Sequence, residues 1–423
     1  MRPGPALYMA HDASSPNDEK AHGKRPRRGL PCGGELSMKQ INFGLVGYKF
    51  MGKAHSNALG RIPMFFDTDA EIVKKCICGR DAEWLARAAA QLGWQETETD
   101  WRKLVARADI DAIDITAPSN FHKEIAIAAA EHGKHVFCEK PLAFNSDDAR
   151  EIIAAVEKAG VKHQIGFNYR FAPALQLAKQ MIDSGKLGRI FHFRGSFLQD
   201  WIIDPDVPMV WRLDKKVCGS GSLGDLGAHV IDAAHFLVGG IRQVVGMNKT
   251  FVKERPVSTS MTGLSGTADK DAPKQPVTVD DATGFMCEFD CGALGMFEAT
   301  RFAQGHKNDM RLEINGEKGS IRFEFERMNE LWYFNAEDEP GLQGWRMIQV
   351  SEGIHPYWSH WWPAGHVIGF PETFVHQLYE FTQSVAQDRP CSPNFYDGLK
   401  CCQVMDAVDR SIERRAWVDV AEM

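Results

Sequence analysis

Three side chains of this sequence, Lys140, Asp225 and His229, form a set suited to oxidising an alcohol. Hydride leaves a carbinol carbon only as the hydroxyl loses its proton, so such a site needs a base near neutrality, and histidine is the usual choice. His229 is the expected proton acceptor. Lys140 would hydrogen-bond the same oxygen and stabilise developing alkoxide, while Asp225 would hold the substrate and tune the pair. Lys140 stands in Phe137-Cys138-Glu139-Lys140-Pro141-Leu142, which ends an apolar strand. Ligands of parallel α/β sheets bind outside the carboxyl ends of the strands. Asp225 and His229 stand four apart in a segment from Gly224 to Asp232 that reads as a helix start, with both on one face. Alone, an Asp and a His at that spacing are ordinary surface or capping residues. The strand-end lysine and a glycine-rich turn near the amino terminus give the functional reading its weight.

That turn is Gly44-Leu45-Val46-Gly47-Tyr48-Lys49-Phe50-Met51-Gly52, where a first strand hands over to a first helix. Glycines there let backbone amides and the helix N-terminus approach a pyrophosphate, which places Gly47, Phe50, Met51 and Gly52 at a dinucleotide. A ligand-free tight turn is the plainer alternative. Lys49 replaces the middle glycine of the fingerprint, so it must hold an ordinary φ and swing its side chain away. Cofactor choice is written after the second strand, in Cys78-Gly79-Arg80-Asp81. Gly79 stands where NAD enzymes carry a carboxylate, and Arg80 tilts the reading towards NADP without excluding NAD, so the cofactor is written NAD(P).

Positioning these residues requires βαβ architecture. From Ile41 onward apolar runs alternate with amphipathic segments: Ile41 to Val46, Glu71 to Cys78, Ala112 to Thr116, His135 to Cys138 and Lys162 to Phe167. Single helices between strands imply a doubly wound parallel sheet, a Rossmann domain over 41–167. After a helix at Ala174 to Ser184, strand-like stretches dominate: Arg189 to Leu198, Gln243 to Val252, Ala282 to Phe289, Gly295 to Phe302, Arg311 to Ile314 and Ser320 to Glu326. A helix near Glu372 to Ala386 follows. The fold class is therefore α/β, with an α+β domain over 168–423 built on a large, mostly antiparallel sheet whose broad face is the expected subunit contact of a homodimer or homotetramer. Residues 253–280 form one long polar excursion, a surface loop or an active-site lid.

With 423 residues the chain can hold two cores, since single cores stop growing near about 250–300 residues. A net charge of −7 offers no field for a phosphate backbone, which excludes nucleic acid as a partner and leaves a small molecule. No apolar run reaches the roughly 18–20 residues of a membrane helix, and no apolar stretch follows the N-terminal charges, so a cytoplasmic enzyme is expected, with no membrane partner. Ten cysteines without a Cys-x-x-Cys pair read as reduced thiols rather than a metal or disulfide framework. Residues 1–40 lack hydrophobic periodicity and are expected to be a disordered tail. Met38 directly precedes the first strand, and Gly33-Gly34-Glu35 is encodable by a purine-rich ribosome-binding sequence, which predicts a translation start at Met38.

At these residues the chain, from 41 to its end, resembles the Gfo/Idh/MocA family of sugar and polyol oxidoreductases. Glu139-Lys140-Pro141 is similar to that family's hallmark, and Asp225 with His229 to its Asp-x-x-x-His pair. The resemblance implies Lys140, Asp225 and His229 as the catalytic set, a cis bond before Pro141, and a nicotinamide against that motif, hence Glu139 and Lys140 at the cofactor. Thr116-Ala117-Pro118-Ser119-Asn120-Phe121-His122 resembles the loop beside the nicotinamide ribose, which implies Thr116, Pro118, Asn120 and His122 there. Gly166 to Phe171 resembles the crossover between domains, implying that Asn168 and Arg170 reach cofactor or substrate. Met51 to Ser56, Pro63 to Phe66, Leu198-Gln199-Asp200-Trp201, Gly219-Ser220-Gly221 and Glu298-Ala299-Thr300-Arg301 resemble the levoglucosan dehydrogenase-like members, which oxidise the C3 hydroxyl of an anhydrosugar.

His355 to Trp362 and His366 concentrate aromatics and imidazoles before the last helix. Platforms stacking on sugar faces, subunit packing and plain core are all open to them; no metal is expected, because a site would need converging ligands and a carboxylate. Asp200, Trp201 and Arg212 are candidate substrate residues, equally readable as buried structural pairs. The alternatives to a dehydrogenase are a glycosidase that oxidises C3 transiently and a non-catalytic dinucleotide-binding sensor.

Overall fold

A computed structural model describes residues 38–423, except 259, 263–264 and 270. Of the tail expected to be disordered over 1–40, residues 1–37, on which the expected start at Met38 also turns, lie outside the described residues, while Lys39 and Gln40 already belong to the first strand, because pairing with the next strand begins there.

Strand and helix alternate as the periodicity predicts. The strands are β1 (Lys39–Val46), β2 (Ala70–Cys78), β3 (Glu96–Glu98), β4 (Ala112–Ile115), β5 (His135–Glu139) and β6 (His163–Gly166). Between them run α1 (Phe50–Phe65), α2 (Ala82–Leu92), α3 (Trp101–Val105), α4 (His122–Glu131) and α5 (Ser146–Ala159). Local chemistry sets the boundaries. Asp81 caps α2 by accepting the Trp84 amide at 3.1 Å, Asn145 caps α5 by accepting that of Asp148 at 2.8 Å, and each helix stops at a left-handed glycine, Gly93 or Gly160. The six strands pair in parallel in the order β3-β2-β1-β4-β5-β6. The order reverses between β1 and β4, which opens a crevice at their carboxyl ends. Strand β3 escapes a sequence reading because Glu-Thr-Glu carries no apolar pattern.

The second half supplies α6 (Pro173–Asp183), β7 (Ile190–Leu198), α7 (Lys215–Cys218), α8 (Ala228–Leu237) and β8 (Ile241–Lys249). Short strands β9 (Glu254–Pro256), β10 (Ser260–Thr262), β11 (Ser265–Thr267) and β12 (Lys274–Pro276) follow, then β13 (Ala282–Phe289), β14 (Leu294–Thr300), β15 (Asp309–Gly316), β16 (Gly319–Glu324), β17 (Glu330–Asn335) and β18 (Arg346–Gln349). The chain closes with α9 (Phe370–Ala386), α10 (Phe395–Arg414) and β19 (Val418–Asp419). Nine strands form one sheet in the order β18-β17-β16-β15-β7-β14-β13-β8-β19, antiparallel except for β7 beside β14. Strands β17 and β18 at one end of the sheet and β19 at the other add to the predicted set; the mixed charged and aromatic residues of β17 and β18 show no clean alternation.

Two sequence expectations change here. The excursion at 253–280 is not one loose loop: β9 pairs with β12 and β10 with β11, and fully buried Arg255 donates to the carbonyls of Ile202, Asp204 and Val207. Val277 and Val279 then join Ile202, Val210 and Leu213 in a small core. The aromatic loop before α9 packs against the far end of α1: Trp361 lies 4.5 Å from Phe65, His360 4.3 Å from Phe66, and Tyr357 stacks on His376 at 4.2 Å. That end of α1 is roughly 22 Å from the glycine turn at 1.5 Å per residue, so these rings are core there rather than a sugar platform at the crevice.

Helix α9 also corrects the picture of two contiguous domains. Its Phe374, Val375, Leu378 and Phe381 share one core with Ile41, Phe43, Leu45, Leu59 and Ile62, so residues near the end of the chain complete the helical layer over the parallel sheet. Among the described residues, no helix is long and apolar enough to cross a membrane, and all nine described cysteines are free.

Candidate active site

Backbone shape defines the first half of the site. Gly47 adopts φ +106°, and a Cβ on Gly52 would lie 2.1 Å from the Gly47 carbonyl oxygen, so only glycine allows this closeness of turn and helix. Thr116, expected at a ribose, uses its hydroxyl to tie the turn from below, donating to the carbonyls of Val46 and Gly47 at 3.0 Å each. Helix α1 begins with no side-chain cap and no acidic residue in its first turn, leaving its amides for an anion. These features fit a dinucleotide pyrophosphate, with Gly47, Phe50, Met51 and Gly52 as its cradle. Lys49 is the N-cap residue with φ −80°, the ordinary conformation expected of it.

The other expected cofactor residues gather at the same edge of the sheet. Pro118 precedes the short turn at Ser119–Phe121, and Asn120 is exposed there. His122 is buried and faces the carbonyls of Pro141 at 2.8 Å and Ala117 at 3.0 Å, so it staples the β4 loop to the β5 loop. Burial lowers its pKa, an effect the two carbonyls offset in part. At the end of β2, Asp81 is taken up in capping α2 while Arg80 is exposed.

The chemical groups meet across the two domains. The Lys140–Pro141 bond is cis, and Lys140 Nζ donates to the Asp225 carbonyl at 2.6 Å and to Asp225 Oδ1 at 3.3 Å. Asp225 lies in a π-helical turn, Leu223–Gly227, that leads into α8, with the Ala228 amide reaching back to the Leu223 carbonyl. The expected regular helix start is thus a widened turn, a form that recurs at functional sites. Asp280 anchors it by accepting the amides of Gly221 at 2.9 Å and Leu223 at 3.0 Å.

Electrostatics separate the roles. Burial alone would raise the Asp225 pKa, but Lys140, Arg301 and Arg212 outweigh it and hold the carboxylate well below its usual range. Arg301 Nη2 lies 2.8 Å from Asp225 Oδ2, and Arg212 Nε 3.8 Å. The His229 pKa is lowered too, but here burial is the main cause: burial and the Lys140 charge take it well below the ordinary histidine value, only partly offset by Asp225. Its ring lies 4.3 Å from that of Tyr169, and its Nδ1 is buried with no partner among the described residues. A neutral imidazole beside an ammonium and an ionised carboxylate can accept a proton from a hydroxyl that the ammonium polarises.

Two expected substrate residues are turned inward. Arg170 is buried and chelates Asp232 through Nε at 2.9 and 2.8 Å and Nη2 at 2.6 Å, with Asp397 at 3.2 Å, so its guanidinium ties the crossover to α8 and α10 instead of reaching a ligand. Asn168 donates to Thr373 at 2.9 Å in the interior. Asp200 is held by Lys307 at 2.7 Å and the Gly305 amide at 3.0 Å. Trp201 and Arg212 stay with the cluster: the Trp201 ring lies 5.7 Å from the Arg301 guanidinium, and Arg212 stacks on Trp211 at 4.3 Å. The sequence reading assigned no role to Arg301, Tyr169, His55 or Asp114. Asp114 did leave a signal, a carboxylate within the buried strand Ala112-Ile113-Asp114-Ile115.

A glycine turn at a β1/β4 switch point, with Lys140, Asp225 and His229 gathered beyond the end of β5, is the make-up of a dinucleotide-dependent oxidoreductase. Comparison with known proteins agrees: residues 41–167 match the description "Oxidoreductase family, NAD-binding Rossmann fold", and residues 175–322 match "GFO/IDH/MocA C-terminal domain". The chain belongs to the GFO/IDH/MocA family of NAD-binding oxidoreductases. It is 41% identical over 389 residues to levoglucosan dehydrogenase of Pseudarthrobacter phenanthrenivorans, covering 91% of this chain and all of that one (100%). A solved levoglucosan dehydrogenase in complex with NADH and levoglucosan superposes with a TM-score of 0.85 at 41% identity, covering 90% of this chain and 100% of that one. An oxidoreductase domain protein from Kribbella flavida gives a TM-score of 0.86 at 46% identity, with 90% and 100% covered.

Proposed function

We propose that this enzyme oxidises a ring secondary hydroxyl of a sugar, anhydrosugar or polyol, namely the C3 hydroxyl of an anhydrosugar of the levoglucosan type, with NAD as cofactor. The observation that carries the reading is the Lys140, Asp225 and His229 cluster, in which a neutral buried base lies within the field of an ammonium pinned to an ionised carboxylate. Identity of 41% to levoglucosan dehydrogenase across nearly the whole chain supports the substrate class. Bound NAD supplies the hydride acceptor.

In this reading His229 takes the hydroxyl proton and becomes imidazolium, while the carbon-bound hydrogen leaves as hydride and the carbinol becomes a ketone. Lys140 donates to the oxygen throughout, and Asp225 keeps the ammonium in place. Arg212 orients the sugar: its guanidinium makes no hydrogen bond among the described residues, nearest Asp225 at 3.8 Å, and carries five donors for the flanking hydroxyls. Arg80 is the residue through which NADP would be admitted.

The open face of the nine-stranded sheet is the subunit contact in this reading, and the enzyme a homodimer or homotetramer. Exposed Met286, Leu294 and Met296 form an apolar patch, and Arg194, Glu313 and Arg322 beside them alternate in charge, which suits a second copy of the same face. Free thiols throughout the described chain fit a reducing cytoplasm.

The test is to mix the purified protein with levoglucosan, glucose, inositols and simple glycosides, each with NAD and then NADP, and follow reduced nicotinamide. Reduction with levoglucosan and NAD is expected. Aglycone release without accumulation of reduced cofactor would move the assignment to a glycosidase, and silence with every substrate would overturn it.

A further inference from the structure

Behind the Lys140 turn lies a buried cluster that the steps above do not use. His55 on α1 is fully buried; its Nδ1 faces Asp114 Oδ1 at 2.9 Å and Oδ2 at 3.0 Å, and its Nε2 faces Glu139 Oε1 at 3.0 Å. Two ring nitrogens that each meet a carboxylate both carry protons. Burial alone would lower the His55 pKa, but Asp114 and Glu139 raise it to about 10. The second Glu139 oxygen accepts the backbone amide of Lys140 at 3.2 Å. On β6 the neighbour is Gly166, where a Cβ would lie 2.6 Å from Glu139 Oε1, so the sheet leaves room for this carboxylate.

Packing does not call for such a cluster. The Phe137 and Phe374 rings border His55 at 5.3 and 5.6 Å, surroundings in which an apolar side chain would be at home. Buried ionic groups are often no more stabilising than apolar replacements of similar volume, and their best-attested use is to specify an arrangement. The arrangement here is a continuous chain of contacts from β4 through α1 to the end of β5. We infer that His55 is a positioning residue for the oxidation: braced by Asp114, it holds the Glu139 carboxylate and through it the Lys140 backbone, which aims the ammonium at Asp225 and the substrate oxygen. This rests on the reading of Lys140 as the donor to that oxygen.

The charged groups facing His55 are Asp114 from β4 and Glu139 from β5; α9 presents the Phe374 ring, and Cys138, His122 and Lys140 border Glu139. In His55→Gln the two carboxylates face each other with no cation between them, and only one ionises near neutrality. With levoglucosan and NAD, kcat should fall roughly 10²-fold with little change in the KM for levoglucosan, the size expected for a displaced reacting group. Its pH profile should gain a neutral-range ionisation absent from the wild type, a change that loss of packing does not produce.

An unpaired buried carboxylate also destabilises the fold, so a second variant, His55→Leu with Asp114→Leu, leaves Glu139 as the one carboxylate of the cluster, with no like charge facing it. It should recover much of the denaturation midpoint lost in His55→Gln but not kcat, and its crystal structure should show Lys140 Nζ withdrawn from the Asp225 carbonyl. Wild-type kcat in the double variant would overturn the inference. If the wild type leaves levoglucosan unoxidised, the substrate reading fails on its own, and the crystallographic comparison decides: Lys140 displaced supports a positioning role, Lys140 in place overturns it.

Discussion

At His229, burial and the Lys140 ammonium both oppose protonation, and Asp225 offsets them only in part. The imidazole therefore stays neutral at neutral pH, and the acid limb of kcat/KM for sugar oxidation should lie below the ordinary histidine pKa of about 6.5. His229→Asn should abolish turnover and leave NADH binding, read by fluorescence titration, within a few-fold of wild type. Undiminished turnover would remove His229 from the base role. Arg301 likewise opposes protonation of Asp225. Arg301→Met removes one of the cations that outweigh burial, so the Asp225 carboxylate pKa should rise, a shift read by infrared difference spectroscopy of the carboxyl stretch on acidification. Arg212→Met should raise the KM for the sugar at least tenfold, the effect of about 1.4 kcal/mol of lost binding, with a smaller change in kcat. Lys140 was legible as a candidate from its strand-end position, and Asp225 and His229 from their residue types and spacing of four. Arg301 was not: an arginine at the end of β14 looks like any exposed strand-end cation until the fold buries it completely.

Elements explain why other assignments moved. Arg170 follows the last parallel strand, where a sequence reading sends it to a ligand, yet the crossover turns it under α8 onto Asp232. Replacing Arg170 with Met leaves that aspartate buried beside fewer positive charges, a loss of about 3–5 kcal/mol by analogy with other broken buried pairs. A lowered urea midpoint with an unchanged sugar KM is expected, and the reverse pattern would return Arg170 to the substrate. The π-turn at Leu223–Gly227 was equally hidden, because one extra residue in a turn leaves the spacing of Asp225 and His229 unaltered in the sequence. Hydrophobic periodicity gave the strands their order but not their length. It missed β3, where three polar residues pair with the end of β2 without an apolar pattern of their own.

At the scale of the whole molecule, the large sheet has helices α6 and α8 on one side and an apolar and charged surface on the other. Met286→Glu with Met296→Glu places like charges on both copies of a self-matching face, and sedimentation velocity should show a shift to smaller species with the fold intact by circular dichroism. An unchanged sedimentation coefficient would remove this face from the assembly. The division of the chain into a dinucleotide half and a substrate half could be read from the change in periodicity, but not the return of α9 to the first core, since long-range packing of an amphipathic helix leaves no mark of its partner.

That return has a consequence for how the protein is made. A chain leaves the ribosome from its amino terminus at about 5–20 residues per second, so Ile41, Phe43 and Leu45 emerge roughly 17–67 s before Phe374 and Leu378 can cover them. The nucleotide-binding half therefore cannot complete its core as a nascent unit, and its last helix docks only when synthesis is nearly over.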